Sequence, residues 1–307
     1  MIITLEDTTS SAIGARLVAL REEGGAVALG RVLTLVIVAT GDDVESAVAA
    51  ANDASREHPC RVIVVDPGDG RRAAGLDAEI RIGGDAGASE VIVLRPLGAA
   101  RDQVDTLVVP LLLPDAPIVV WWPHEPPENM AADPLGAMAQ RRISDVGTCG
   151  KPIEHLGGLA DTYAPGDTDL SWARTTLWRG LAAAALDEPP YETVRAVRVI
   201  GSRDRPSTHL FAAWLAANLK APVTIEHDPE ASAITGLDLE RRTGSITMRR
   251  PEGSAVVTVT QDGTPTQQIA MAKRPIADCL MEDLRRLDPD ETYARSLLKG
   301  LPKVAGE

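Results

Sequence analysis

Blocks of apolar residues separated by polar turns give the first half of the chain an α/β reading. Residues 31–40, RVLTLVIVAT, are β-branched and almost wholly apolar, the pattern of a strand covered on both faces. Gly41-Asp42-Asp43 turns the chain, and residues 43–57 place apolar side chains at 44, 47, 48 and 51, one face of a helix. Arg61–Asp66 is a second strand, ended by Pro67-Gly68-Asp69-Gly70. A strand–helix–strand unit predicts a parallel sheet. Asp77–Ile82 alternates as an edge strand would, Ser89–Arg95 is a further strand, and Asp102–Leu113 reads as a helix ahead of Pro114. Ile118–Trp122 is a buried strand that runs into the Pro-rich loop 123–134, at the strand edge where open α/β sheets carry function.

A second block follows the Gly/Asp-rich stretch Ala164–Asp169. Helices are predicted over Trp172–Leu186 and Pro206–Leu219, and strands over Val194–Ile200 and Val223–Glu226. Short β segments near 233–240, 244–250, 255–260 and 266–270, several joined by Gly-containing turns, predict a meander. Two helices, 276–286 and 290–299, follow. The expected fold class is therefore α/β. Residues 1–165 form a Rossmann-like, mostly parallel sheet with helices. Residues 166–307 form a second α/β (α+β) domain with a β-meander and C-terminal helices.

Length agrees with two domains, since 307 residues exceed the usual size of one. Charge then separates the halves. Residues 1–165 carry 13 Lys+Arg against 24 Asp+Glu, and residues 166–307 carry 18 against 20, so most of the net −13 belongs to the first half. Such a surface repels phosphate backbones and argues against a nucleic-acid partner. The first residues, MIITLEDTTSSAIGARL, lack a basic segment followed by an apolar one, and no run of about 18 apolar residues occurs. The expectation is a cytoplasmic protein without a membrane partner. Cys60, Cys149 and Cys279 are widely spaced and form no CxxC, which fits reduced thiols in that compartment.

Catalytic motifs are missing. No GxxxxGK[ST] and no GxGxxG follows a strand, and Asp42-Asp43 puts carboxylates where a phosphate would meet the helix N-terminus. His58, His124, His155, His209 and His227 form neither HxxxH nor HExxH, and Cys149 near His155 is a chance neighbour. No GxSxG is present. We therefore expect no catalytic residue, no cofactor and no metal. The loop GSRDRPST after the strand 194–200 offers Arg203 and Arg205 to an anion, either a sugar phosphate or a partner's carboxylate.

Two clusters stand out in a chain with only 3% aromatic residues. In TDLSWARTTLWR (168–179), Asp169 or Ser171 can cap a helix. On one continuous helix Trp172 and Arg179 share a face, Arg174 and Trp178 share another, and Leu177 with Leu181 supplies the core stripe. Trp and Arg are enriched at interface hot spots and pair by cation–π contact. In Trp121-Trp122-Pro123 adjacent side chains point to opposite sides of a strand, so one Trp can be core while the other lines an interface.

These clusters resemble the OpcA family of bacterial glucose-6-phosphate dehydrogenase assembly proteins. The likeness rests on VVWWP (119–123), DPL (133–135) and DLSWARTTLWR (169–179), with the GSRDRP loop and closing helices in matching order. Ala, Arg and Asp usage is similar to actinobacterial members. The resemblance implies a non-catalytic protein that assembles or allosterically activates an enzyme oxidising glucose 6-phosphate with NADP. From the two clusters and the GSRDRPST loop we expect partner contacts at Trp122, Pro123, Asp169, Trp172, Arg174, Trp178, Arg179, Arg203 and Arg205. On this reading Trp172→Ala with Arg174→Ala weakens activation and leaves the fold intact. Photosynthetic relatives are associated with thiol-dependent control, for which three scattered cysteines offer no local pair. The alternative is a sugar-phosphate-binding α/β protein or enzyme using the Arg203/Arg205 loop.

Overall fold

Uninterrupted runs of Val, Ile and Leu become the central strands. The computed structural model describes residues 1–23, 32–56, 59–67, 70, 72–82 and 90–306. The expected element ends at 31, 57 and 89, together with His58, Gly68 and Asp69, lie outside the described residues. Two compact units emerge: Met1–Asp145 with Ile276–Pro289, and Val146–Pro275 with Asp290–Glu307.

The first unit runs β1 (Ile2–Leu5), α1 (Ser10–Glu23), β2 (Leu33–Val38), α2 (Asp43–Ala54), β3 (Cys60–Val65), β4 (Gly75–Arg81), β5 (Glu90–Leu97), α3 (Val104–Val108), β6 (Ile118–Trp122) and β7 (Arg141–Ser144). Its strands lie in the order β1-β4-β5-β3-β2-β6-β7. The five from β5 to β7 are parallel, while β4 and β1 add antiparallel pairings. Among the parallel strands the order reverses direction between β2 and β6, as in a Rossmann sheet. Asp77–Ile82 is not an edge: β4 is paired on both sides, and β1, a strand the pattern analysis passed over, covers it. The helix expected over Asp102–Leu113 shortens to α3 between two 3₁₀ turns, and Pro110, lacking a backbone donor, sits in the second.

Val44, Ala47, Val48 and Ala51 of α2 are buried as the spacing predicts. The helix Ile276–Leu284 packs against α2, burying Cys279, Leu280, Asp283 and Leu284. Compactness thus divides the chain after Asp145, and this helix goes with the first unit rather than the second.

The second unit contains α4 (Pro152–Thr162), β8 (Asp167–Asp169), α5 (Leu170–Ala173), α6 (Thr176–Leu186), β9 (Ala196–Gly201), α7 (Pro206–Asn218), β10 (Val223–His227), β11 (Ile234–Arg241), β12 (Gly244–Arg249), β13 (Val256–Gln261) and β14 (Gln267–Ala270). With the Ile276–Leu284 helix numbered α8, α9 (Glu291–Arg295), a π-helical turn at Ser296–Gly300 and β15 (Val304–Gly306) complete it. The sheet order is β14-β13-β12-β11-β9-β10-β15. The four strands β11–β14 form the expected antiparallel meander, and β9, β10 and β15 are parallel. Trp178, Phe211, Val199, Leu237 and Met248 belong to its core. No helix among the described residues is long and apolar enough to cross a membrane.

Candidate functional site

The DLSWARTTLWR segment folds as two helices rather than one. Asp169, fully buried, caps α5 by accepting the Ser171 N–H at 2.8 Å, and its other oxygen accepts the Val146 N–H at 2.8 Å. The chain breaks at Arg174-Thr175 before α6 starts. Thr175 turns its hydroxyl back to the Trp172 carbonyl at 2.7 Å, a local bond that competes with helix continuation.

This break preserves one expected pairing and reverses the expected burial. The Arg179 guanidinium stacks on the Trp172 ring at 3.6 Å, held there by bonds to the Thr175 and Thr176 hydroxyls. Trp172 Nε1 donates to Asp290 at 2.8 Å, and Tyr293 tilts against the ring at 5.8 Å. Trp172 and Trp178 are each only 2% exposed, whereas Leu177, assigned to the core stripe, is 44% exposed. Trp178, Ala182 and Ala185 form the buried stripe instead. Trp172→Ala would therefore open the core, which corrects the expectation that this substitution leaves the fold intact.

Trp121, Trp122 and Pro123 are all buried at the end of β6, so neither Trp is presented to solvent. Beside them in the sheet, at the carboxyl end of β2, Asp43 pairs with His124 at 3.4 Å and Asp66 accepts the Gly41 N–H at 3.4 Å. Carboxylates therefore flank the start of α2. Cys60, Cys149 and Cys279 are buried thiols outside any disulfide. Cys149 and half-buried His155 bring their ligand atoms within 4.8 Å of each other.

The remaining predicted residues divide around a cavity of about 230 Å³ in the second unit. Arg174 and exposed Arg205 line it, together with Trp178. Arg203 does not line it; its backbone carbonyl bonds His209 Nε2 at 2.8 Å. Burial keeps the His209 imidazole below its ordinary pKa, although the Arg203 carbonyl opposes that shift.

Sequence reasoning missed three further cations in the lining: Arg250 after β12, and Lys273 and Arg274 after β14. Arg250 is 6% exposed and donates to the Ile234 and Met271 carbonyls at 3.1 and 3.2 Å. Its guanidinium lies 5.2 Å from the Trp178 ring, and burial lowers its pKa. Its neighbour Arg249 points the other way and pairs with Asp238 at 2.6 Å. Lys273 pairs with Glu252 and reaches the Ser232 hydroxyl at 2.5 Å. That lysine, with the Ser232 N–H and hydroxyl, holds the Glu252 carboxyl down at about 2. Arg274 donates to the Ala173 carbonyl at 2.7 Å. The first turn of α7, with Pro206 and Ser207, also faces the cavity. Among the described residues the lining holds five cationic side chains and no acidic one.

Residues 51–161 match the family model for the glucose-6-phosphate dehydrogenase subunit N-terminal domain, and residues 165–297 match that for its C-terminal domain. A protein named OxPP cycle protein OpcA from Synechococcus elongatus is 31% identical over 163 residues, covering 49% of this chain and 36% of its own length. Its namesake from Synechocystis sp. is 26% identical over 205 residues, covering 62% of this chain and 42% of its own. The matched part is less than half the length of either relative. Among solved structures, the UDP-N-acetylglucosamine 3-dehydrogenase GnnA from Acidithiobacillus ferrooxidans overlaps 88% of this chain and 96% of its own at 8% identity and a TM-score of 0.39. The WlbA dehydrogenase from Bordetella pertussis overlaps 87% and 94% at 10% identity and a TM-score of 0.36. Overlap this weak carries no argument about cofactor or substrate.

Proposed function

We propose that this chain, which belongs to the OpcA family, is a non-catalytic accessory protein that binds a glucose-6-phosphate dehydrogenase and assembles or allosterically activates it. One observation carries the reading: the two family models of a glucose-6-phosphate dehydrogenase subunit lie in order along the chain, over 51–161 and 165–297. The absence from the sequence of phosphate-loop, nucleophile-elbow and metal-ligand motifs is compatible with it.

The physical mechanism is a population shift. An accessory protein that binds the active form of an enzyme better than the inactive form raises the active fraction by its differential affinity. About 1.4 kcal/mol of preference gives a tenfold gain. In this reading Asp169, Trp172, Trp178 and Arg179 brace the two short helices, and Trp122 with Pro123 anchors the 123–134 loop. The partner then meets the side chains left accessible around them, Arg174, Leu177, Arg203 and Arg205.

The test is the initial rate of the cognate dehydrogenase against glucose 6-phosphate, with and without an equal concentration of this chain, and with this chain alone as blank. A higher rate over a silent blank, with co-elution of the two proteins, is the expected result. An unmoved rate without co-elution overturns the reading.

A further inference from the structure

We infer that two copies of this chain pair through the open edge of the sheet in the second unit. β14 lies antiparallel to β14 of the second copy, about a twofold axis at Ile269. The pairing needs no other protein, so it stands apart from the accessory reading.

The state of the edge is the first ground. β14 ends the seven-stranded sheet, and among the described residues no strand pairs with its far side. Gln267, Gln268 and Ala270 are exposed, and Ile269 is half-buried. Native sheets guard such edges with charge, proline, a bulge or brevity. The opposite end of this sheet is brief, since β15 has three residues. β14 carries neither charge nor proline, and its four pairs with β13 keep an unbroken register. A regular, unguarded edge offers its backbone donors and acceptors to another strand.

The register fixes which groups are offered. Met271, one residue past β14, donates its N–H to the Ala255 carbonyl at 2.7 Å. That pair continues the ladder in which Ala270 faces Val256 and Ile269 faces Val257. Antiparallel residues alternate between bonded and non-bonded pairs. Gln267 and Ile269 therefore bond inward to β13, and the N–H and C=O of Gln268 and Ala270 turn outward. A second copy laid with its Ala270 opposite Gln268 satisfies both outward residues at once, through four hydrogen bonds about the axis. The two Ile269 residues then face each other as a non-hydrogen-bonded pair, the geometry in which cross-strand side chains come closest.

Charge points to a second copy as the occupant. Residues 263–272 are ten consecutive positions without a charged side chain, in a chain of net charge −13. Two such chains repel at most approaches, and an uncharged edge is where they can meet. Shape agrees. Ile269 lies with Leu181, Ala184, Val259 and Pro265 in a groove of about 70 Å³ between α6 and β14, so an apolar contact at the axis continues an apolar surface already present on that face. On the other face Val256, 39% exposed, sits beside Ala270, whose single methyl leaves room for Gln268 of the second copy. A four-residue strand contributes less than the roughly 1,200 Å² of a standard complex, so the dimer is reversible and concentration-dependent.

The test uses the full chain, with sedimentation velocity up to about 100 μM, a range that reads micromolar association. A monomer–dimer equilibrium is expected. Gln268→Pro deletes one outward N–H and leaves the bonds to β13 in place, and Ala270→Lys puts a charge on the edge. Each should weaken dimerisation about tenfold or more while the melting temperature of the dilute monomer stays put. If Gln268→Pro fails to fold, Ala270→Lys decides. Ile269→Cys should cross-link two copies on mild oxidation, because a disulfide spans the Cα separation of such a pair, and Gln267→Cys should not. A chain that stays monomeric and gives no Ile269→Cys cross-link overturns the pairing. So does a dimer that both edge substitutions leave intact, or one that Gln267→Cys cross-links as readily. A monomer in which Gln268→Pro lowers only binding to the dehydrogenase gives the edge to an unlike strand, and overturns the second copy as its occupant.

Discussion

Trp172 is fixed from three directions: Arg179 lies over its face, Asp290 takes its indole N–H, and Tyr293 packs at its side. Every one of these contacts vanishes in Trp172→Ala, which also leaves a cavity where a ring 2% exposed had been. The expected loss is about 3–5 kcal/mol of unfolding free energy, read by urea titration followed by circular dichroism. Trp172→Phe keeps a ring beneath Arg179 and forfeits the indole bond, so its loss should be much smaller, near 1 kcal/mol beyond the change in volume. Equal losses for the two variants would mean that the Asp290 bond, and not the packing, holds the side chain. Either way Trp172 acts through the helices it braces. A partner-binding assay on Trp172→Ala would mix lost contact with lost fold, and Leu177, at 44% exposure, is the better surface probe.

Elements meet most closely where a glycine allows it. A Cβ on Gly300 would stand 2.0 Å from the Ala213 carbonyl oxygen, so the π-helical turn can lie against α7 only without a side chain there. Gly300→Ala should push the turn away from α7 and lower stability by about 1–3 kcal/mol. Gly180 on α6 faces open space, and Gly180→Ala should stabilise by about 0.5–1 kcal/mol. Differential scanning calorimetry of the pair reads opposite shifts in melting temperature if the close approach is the cause. Strong local patterns also explain which elements the sequence discloses. The apolar run of β2, the i, i+3, i+4 spacing of α2 and the glycine-punctuated meander are each complete within a few residues. In α1 the buried Ile13, Leu17 and Leu20 are diluted by Ala, Gly and an exposed Val18, and no pattern reading singled the helix out. The cavity is harder still. Arg174, Arg205, Arg250, Lys273 and Arg274 come from four separated segments that only tertiary folding assembles, so no spacing along the chain announces it. Arg205 was legible because it follows a strand and precedes a helix. Arg250 was not, because an Arg-Arg pair at a strand end does not say which guanidinium turns inward.

At the scale of the whole molecule, the path of the chain matters more than its halves. The first unit is closed by a segment that returns after about 130 residues have been spent on the second. Arg141, on β7, is 3% exposed in its side chain and donates at 2.6 Å to Asp283, which that returning segment supplies; it also donates to the Asp288 carbonyl. The same segment covers α2. Removing one partner of a buried ion pair costs about 3–5 kcal/mol, a large share of the 5–15 kcal/mol that holds a domain together. A fragment comprising Met1–Asp145 is therefore expected to lack a cooperative unfolding transition. The same fragment joined through a short Gly/Ser linker to Ile276–Pro289 should regain one, monitored by far-ultraviolet circular dichroism against urea. A cooperative transition in the shorter fragment would show that α2 and Arg141 tolerate exposure, and that the returning helix is an ornament on a unit already complete. The expected result means instead that the first unit does not finish folding until the chain has passed through the second and supplied Ile276–Pro289.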